Sequence, residues 1–133
     1  MEKTTLVIPT YNERGNLPSL LEELFSLGMA DMQVLIVDDN SPDGTGELAE
    51  ALKKTYPHQL EVMHRTGKLG LGSAYIQGFQ NAMQSGAAVV GQMDADFSHP
   101  IEKIPTMLAA LGKVDLVIGS RYIAGGKLDE KWP

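Results

Sequence analysis

The chain has 133 residues, 43% of them hydrophobic and 21% charged, with a formal net charge of -6. This composition predicts one globular domain with a real core and excludes a disordered chain, and the negative charge argues against a nucleic-acid-binding protein. The absence of cysteine excludes disulfides and thiolate metal sites. No apolar stretch approaches the ~20 residues that a membrane-spanning helix needs.

Five predicted strands alternate with four predicted helices along the chain. Apolar runs predict the strands, over residues 4–8, 33–37, 60–63, 87–93 and 115–118. Apolar residues spaced three or four apart predict the helices between them, with stripes at Leu17, Leu20, Leu21, Leu24 and Phe25, then Leu48, Ala49, Leu52 and Tyr56, then Ala74, Ile76, Phe79, Ala82 and Met83, and last Ile101, Ile104, Leu108 and Leu111. This order predicts an α/β fold with a mostly parallel sheet, helices on both faces and right-handed crossovers.

Polar residues follow most of the predicted strands. Residues 9–13 follow the first strand, 38–41 the second, 94–96 the fourth and 119–122 the fifth. Because ligands of parallel sheets bind outside the carboxyl ends of the strands, we expect a functional site at this edge. A single Asp at a strand end is usually explained by its preference for turns, but scattered turn residues would gather at one edge only by chance.

Asp94, Asp96 and Ser98 form the predicted metal site. Alternate residues of an extended segment point to the same side, so these three side chains can converge on one point. Two carboxylates at such a short distance repel each other unless a cation, a proton or a hydrogen-bonding ligand lies between them. All-oxygen ligands suit Mg²⁺ or Mn²⁺, and Mg²⁺ usually takes substrate phosphates as further ligands. We therefore expect a divalent cation together with a diphosphate.

Arg121 is the predicted cation for phosphate oxygens, which a guanidinium can bind in a bidentate manner, and Lys68 and Arg65 are further basic candidates. Taken alone, Arg121 is better explained as a surface cation on a solvated loop. Asp38 and Glu13 can accept hydrogen bonds from ribose hydroxyls or base N–H groups. Each also precedes a predicted helix, whose N-terminus a negative charge stabilises, and the two roles are compatible.

Five motifs, in this order, carry a resemblance to a known family: VIPTYNE, IVDDNSPDGT, GKLGLGSAYIQGF, MDADFSHP and IGSRY. Together they resemble the family 2 glycosyltransferases of the dolichol-phosphate (polyprenol-phosphate) mannosyltransferase type. The first two motifs are common to many family 2 enzymes, whereas the other three together look specific to the polyprenol-phosphate branch. The resemblance spans nearly the whole chain and implies a Rossmann-like GT-A fold with a DxD motif for a nucleotide sugar and its metal.

The resemblance implies a role for each matching position. The implied nucleoside contacts are Pro9, Tyr11, Glu13, Ile36 and Asp38, and the implied ribose or diphosphate contacts are Asp94 and Ala95. Asp96 resembles the metal ligand proper, and the position of Ser98 resembles that of a second ligand. Arg121 is similar to a cation that faces the nucleotide sugar, so Asp96 and Arg121 are the predicted catalytic residues.

The activity that the resemblance implies is an inverting, metal-dependent transfer of a hexose, mannose from GDP-mannose, onto a polyprenol (dolichol-type) monophosphate. Two alternatives stay open: another donor such as UDP-glucose, and a nucleotide-sugar-binding fragment without catalysis. The implied location is cytoplasmic, or peripheral at the cytoplasmic face of the membrane that holds the lipid acceptor. No nucleic-acid partner is expected.

Residues 1–133 are expected to form a single GT-A nucleotide-sugar-binding domain that is truncated at its C-terminus, because similar enzymes continue further. We therefore expect this chain to bind the donor without turnover. We also expect it to self-associate through the uncovered face, for which the candidates are Met107, Leu108, Tyr122, Ile123 and Trp132.

Overall fold

Strands and helices alternate through the part of the chain that the computed structural model describes, residues 3–119. This part divides into two compact units, one ending at His99 and the other beginning at Pro100. The elements of the first unit are β1 (Thr4–Thr10), α1 (Leu17–Phe25), β2 (Met32–Asp38), α2 (Thr45–Lys53), β3 (Leu60–His64), α3 (Leu71–Gln84) and β4 (Val89–Gln92). The described part of the second unit contains a 3-10 turn over Ile101–Lys103 that leads into α4 (Ile104–Ala110).

The four strands form one parallel sheet in the order β3-β2-β1-β4. The chain steps outward from β1 to β3 and then crosses back over the sheet to β4. Since crossovers between parallel strands are right-handed, α1 and α2 lie on one face and α3 lies on the other. Side-chain neighbours agree, because Gly46 of α2 lies against Asp38 whereas Gly78 of α3 lies against Val37, and adjacent strand residues point to opposite faces. The predicted parallel sheet with helices on both faces is confirmed.

The central strands are buried on both faces. Val7, Ile8, Val34, Ile36 and Val37 are fully buried in β1 and β2. An unbroken apolar run, rather than alternation, is what a strand covered on both sides requires. α1 buries the four leucines of its predicted stripe, whereas Phe25 is only half-buried, and each buried Leu stabilises the fold by about 1.5–3 kcal/mol relative to its exposed state.

The buried face of α3 differs from the predicted stripe. The helix buries Ala74, Tyr75, Gly78 and Ala82, whereas Ile76 and Met83 are 59% and 57% exposed. A Cβ atom at Gly78 would overlap Val7 Cγ1 and would lie 3.3 Å from Val37 Cγ2. The helix therefore packs its small residues against the sheet. Small side chains let the helix backbone come close to β1 and β2, which larger side chains would prevent.

The fifth predicted strand is wrong. Residues 116–119 have no regular secondary structure, and the described sheet ends with β4 as its outer strand on that side. A strand exists only through hydrogen bonds to a neighbouring strand, and the apolar run at 116–118 does not by itself specify a neighbour. Tyr122, Ile123 and Trp132, three of the predicted self-association residues, lie outside the described residues. None of the helices within residues 3–119 is long and apolar enough to cross a membrane.

Candidate functional site

The carboxyl ends of β1 and β4 lie side by side, and there the chain changes direction across the sheet. Open α/β sheets bind ligands at such a switch point. The loop after β1 and the loop after β4 both begin at this edge of the sheet. Within the described residues they contain two of the three non-glycine positions with positive φ, Asn12 (φ 56) and Phe97 (φ 62). Asn tolerates this conformation, whereas for a bulky residue such as Phe it costs of order 1–3 kcal/mol. Phe97 lies inside the predicted metal-binding segment.

The loop between β1 and α1 is tied to the loop between β2 and α2. Three successive backbone N–H groups donate to side chains of that second loop and of the first residue of α2: Asn12 to Ser41 Oγ at 3.0 Å, Glu13 to Thr45 Oγ1 at 3.0 Å and Arg14 to Asp43 Oδ2 at 3.2 Å. Free N–H groups before a helix are where many α/β folds bind phosphate. Here these donors are already engaged, so a diphosphate would have to find its partners elsewhere on this edge.

Asp38 and Ile36, two of the predicted nucleoside contacts, lie below the surface. Ile36 is 0% exposed and Asp38 is 2% exposed. The Asp38 carboxylate accepts hydrogen bonds from the hydroxyl groups of Thr10 and Ser41, both at 2.7 Å, and from the Ser41 backbone N–H at 3.0 Å. Asp38 therefore joins the end of β1 to the β2–α2 loop, and its direct contact with a nucleoside stays a prediction.

Arg65 does not face this edge as a free cation, which corrects its grouping with the phosphate-binding candidates. Its side chain is buried against Asp39, with Nε donating to Oδ1 at 2.6 Å and Nη2 to Oδ2 at 3.1 Å. Nη1 donates to Ser73 and Gln77 at the start of α3. A planar guanidinium with five donors satisfies all these partners at once, and this pair fixes α3 to the end of β2.

Tyr11, Glu13 and Pro9 remain accessible at the end of β1. Tyr11 is 38% exposed, and Lys68 Nζ lies 4.6 Å from the centroid of its ring, a cation–π distance. The Glu13 carboxylate accepts a hydrogen bond from Asn16 Nδ2 at 2.9 Å and is partly exposed, as is Pro9. The structure thus presents these three predicted contacts together with Lys68 beside the switch point.

Just after β4, Asp94 is half-buried and Asp96 is exposed. Met93 and Ala95, between and beside them, are buried, as the alternation of an extended segment requires. Asp94 Oδ1 accepts a hydrogen bond from the Tyr75 hydroxyl at 2.7 Å. The backbone N–H of Asp94 donates to His99 Nδ1 at 3.3 Å, and His99 Nε2 lies 4.0 Å from Asp94 Oδ2.

The Asp96 carboxylate is exposed and stabilised in its charged form. Ser98 donates its backbone N–H to Asp96 Oδ1 at 3.0 Å. The hydrogen bond from the Ser98 side chain is the main cause that lowers the pKa of Asp96 below its usual value. By contrast burial, followed by the hydrogen bond to Asp94, raises the pKa of Tyr75 far above its usual value. At neutral pH this segment therefore presents an anionic Asp96, and Tyr75 remains a hydrogen-bond donor.

The residues at this edge fit a divalent cation only in company with a phosphate ligand. No three acidic or histidine side chains within residues 3–119 converge as a metal site by themselves. Two carboxylates and a hydroxyl are hard oxygen donors, and Mg²⁺ and Mn²⁺ are commonly held by one or two carboxylates plus substrate phosphates. Arg121, the predicted phosphate cation, lies outside the described residues and its role stays a prediction.

Tyr75 and His99 are neighbours of the acidic segment that sequence reasoning does not assign to the site. The apolar stripe predicted for α3 omits Tyr75. Ala74, Gly78 and Ala82 are four residues apart, and this spacing of small residues marks the face that packs closely on the sheet. It is the sequence signal that predicts a buried Tyr75.

Comparison with known proteins gives consistent matches. The model of Glycosyl transferase family 2 matches residues 5–133. The polyprenol monophosphomannose synthase of Mycolicibacterium smegmatis is 45% identical over 133 residues, which cover 99% of this chain and 49% of that protein. The undecaprenyl-phosphate mannosyltransferase of Micrococcus luteus is 47% identical, covering 96% and 51%, and the dolichol-phosphate mannosyltransferase of Pyrococcus furiosus is 47% identical, covering 98% and 36%. The chain thus spans about half the length of these curated relatives, or less.

Solved structures share the fold. The mannosyltransferase PcManGT from Pyrobaculum calidifontis, in complex with GDP-Man and Mn²⁺, superposes with a TM-score of 0.69 at 21% identity, over 85% of this chain and 33% of that one. S. aureus TarS in complex with UDP gives a TM-score of 0.67 at 23% identity, over 83% and 32%. At such identities the likeness shows the fold, and it confirms the predicted Rossmann-like, GT-A type of α/β architecture.

Proposed function

Since this chain belongs to glycosyl transferase family 2, we propose that its sheet edge binds a nucleotide sugar, GDP-mannose, for an inverting transfer of mannose to a polyprenol monophosphate. The observation that carries the proposal is the pair Asp94 and Asp96 after β4, half-buried and exposed respectively, beside the accessible end of β1. The names of three relatives at 45–47% identity, all polyprenol-type phosphate mannosyltransferases or synthases, support this substrate class.

Asp96 is the proposed principal ligand of a divalent cation, with Asp94 and Ser98 beside it as a DxD-type segment. Its exposed, ionised carboxylate is the form that a hard cation takes. The PcManGT structure, which shares the fold, contains Mn²⁺ and GDP-Man, and this supports the pairing of a cation with a nucleotide sugar. A bound Mn²⁺ or Mg²⁺ supplies electrostatic stabilisation of the charge that develops on the departing nucleoside diphosphate.

The acceptor chemistry explains why carboxylates need not act as bases. The nucleophile is an oxygen of a phosphomonoester, whose second pKa is about 6, so it is already largely anionic at neutral pH. That oxygen forms a bond to C1 of the mannose while the bond from C1 to the diphosphate breaks, and GDP leaves with the electron pair. A single displacement of this kind inverts the configuration at C1. Asp94 and Asp96 are then available to hold the donor rather than to remove a proton.

The acceptor lipid places the reaction at a membrane surface. A polyprenyl chain stays in the bilayer and presents its phosphate at the interface, so the donor site must approach that interface from the aqueous side. The chain spans about half or less of the relatives that carry the activity in their names.

Calorimetric titration with GDP, UDP and ADP, each in Mn²⁺ and in EDTA, tests the proposal. We expect GDP to bind most tightly, with a dissociation constant between about 1 mM and 1 μM, or about 4–8 kcal/mol, and to lose affinity in EDTA. Equal affinity for GDP in Mn²⁺ and in EDTA would contradict the metal site. Tighter binding of UDP would move the donor to a UDP-sugar while keeping the family.

A further inference from the structure

Tyr75 lies where α3 begins, at the carboxyl edge of the sheet. Its ring is buried in a cluster with Val7, Leu35, Val37 and Ala74. It also stacks on Phe79, with ring centroids 5.9 Å apart and an angle of 27° between the rings. Packing on these sides leaves the ring little rotational freedom, so the position of its hydroxyl is set by the core and not by the loop that it touches.

The Tyr75 hydroxyl reaches one oxygen of Asp94. It donates to Oδ1 at 2.7 Å, whereas Oδ2 lies 4.0 Å from His99 Nε2, beyond hydrogen-bond distance. Because His99 Nδ1 accepts the Asp94 backbone N–H, the ring proton of a neutral His99 is on Nε2 and faces this carboxylate. The Asp94 side chain is 38% exposed, so part of the carboxylate reaches solvent while Oδ1 is held from inside.

We propose that Tyr75 is a positioning residue for donor binding, which fixes the Asp94 carboxylate through Oδ1 so that Oδ2 can serve a divalent cation. The inference rests on the proposed function. A carboxylate on a loop would otherwise rotate about its side-chain torsions, and a preset orientation lowers the cost of ordering it when the ligand binds. Hydrogen-bonding partners of this kind typically change metal affinity by about 10–100-fold when removed.

Tyr75→Phe tests this role, because it removes one oxygen and keeps the ring in the core. We expect the affinity for GDP in Mn²⁺ to fall by about 10–100-fold, while the affinity for GDP in EDTA stays unchanged. This split separates a positioning role from a structural one, since general loosening of the site would weaken both. Tyr56→Phe is the matched control: Tyr56 packs against Phe25 on another part of the chain, with ring centroids 4.5 Å apart, and we expect no change in either affinity.

A double-mutant cycle tests whether Tyr75 acts through Asp94. Asp94→Ala should weaken binding in Mn²⁺, and adding Tyr75→Phe should weaken it no further, because the acceptor of the hydroxyl is already absent. The inference would be overturned if the fold-losses in affinity of the two single variants multiply in the double variant. An unchanged Mn²⁺-dependent affinity for Tyr75→Phe would also overturn it. If the unaltered chain shows no Mn²⁺-dependent binding of GDP, the proposed function fails instead, which keeps the two outcomes distinct.

A crystal structure of the unaltered chain with GDP and Mn²⁺ decides the matter if Tyr75→Phe does not fold. We expect Tyr75 Oη within hydrogen-bond distance of Asp94 Oδ1 and the other carboxylate oxygen directed to the ligand. A Tyr75 hydroxyl turned away from Asp94 in that complex would overturn the inference.

Discussion

Two neighbouring carboxylates after β4 are held in different ways. Asp94 is fixed from inside by Tyr75, whereas Asp96 is exposed and takes its hydrogen bonds from Ser98 in its own loop. Because Asp96 buries little surface, its loss should affect the ligand and not the core. The same edge contains Asp39, whose carboxylate serves the interior alone. The exposure of the side chain and its hydrogen-bond partners, more than its residue type, distinguish a proposed binding residue from a structural one at this edge.

Asp96→Asn should abolish the Mn²⁺-dependent part of GDP binding and leave the melting temperature unchanged. The amide cannot supply the anionic oxygen that a hard divalent cation prefers, yet it keeps the size of the side chain. Calorimetry in Mn²⁺ and thermal unfolding measure the two effects. Glu23→Gln on the exposed side of α1 is the charge-matched control and should bind as the unaltered chain does. Full Mn²⁺-dependent affinity in Asp96→Asn would assign the cation to other residues.

Asp39→Asn should lower the free energy of unfolding by about 3–5 kcal/mol, because it leaves the buried Arg65 guanidinium without its opposite charge. Denaturant titration measures the loss. Lys53→Met is the control: it removes an exposed ion pair with Glu61 (3.0 Å) and should change stability very little, since exposed pairs are screened by water. If both variants lose the same small amount, the Asp39–Arg65 pair does not connect α3 to the sheet in solution.

At the scale of elements, α3 connects the core to the site. Its small residues allow close packing on β1 and β2, its first turns provide Tyr75 to Asp94, and its N-terminal segment binds Arg65. The helix begins at Leu71 after Gly70, whose φ of 103 is a conformation that suits glycine. A shift of α3 away from the sheet would therefore change the orientation of the acidic segment.

Gly78→Ala should destabilise the protein by about 1–3 kcal/mol, because the added methyl group would overlap Val7 and press on Val37. Chemical denaturation measures the change. Gly72→Ala is the control in the same helix: a Cβ atom there would meet nothing within 4 Å, and the change should be neutral or stabilising by up to about 1 kcal/mol. Adding Val7→Ala to Gly78→Ala should cost less than the sum of the two single changes. Additive losses would show that the helix does not pack against Val7.

At the scale of the whole molecule, stability is centred on β1 and β2. Both strands have a neighbouring strand on each side and are almost wholly buried. By contrast, β3 and β4 are the outer strands of the described sheet, and both contain exposed residues. The site is built at the boundary between these regions, with one side on β1 and the other on β4. The buried strand β1 thus leads into the predicted nucleoside contacts, and the more exposed strand β4 leads into the acidic segment.

Amide hydrogen exchange should be slowest in β1 and β2 and faster in β3 and β4. Central amides open only with the whole sheet, whereas outer strands can open locally at lower free energy. Adding GDP with Mn²⁺ should slow exchange around Asp94 and Asp96 more than in β3, which lies across the sheet from that segment. Equal protection of all four strands before ligand is added would contradict this distribution of stability.

The sequence by itself determined the alternation of strands and helices, the parallel sheet and the acidic segment at its carboxyl edge, because apolar period and strand-end polarity are local signals. Only the tertiary structure decided which acids face outward. Asp38 and Asp39 follow β2 as Asp94 and Asp96 follow β4, yet the first pair is buried against Thr10, Ser41 and Arg65. Asp94 is only half-buried beside Tyr75, and Asp96 is exposed. The tertiary structure also decided which face of α3 is buried and that residues 116–118 form no strand. Both depend on which backbone lies nearby, and no local pattern encodes that.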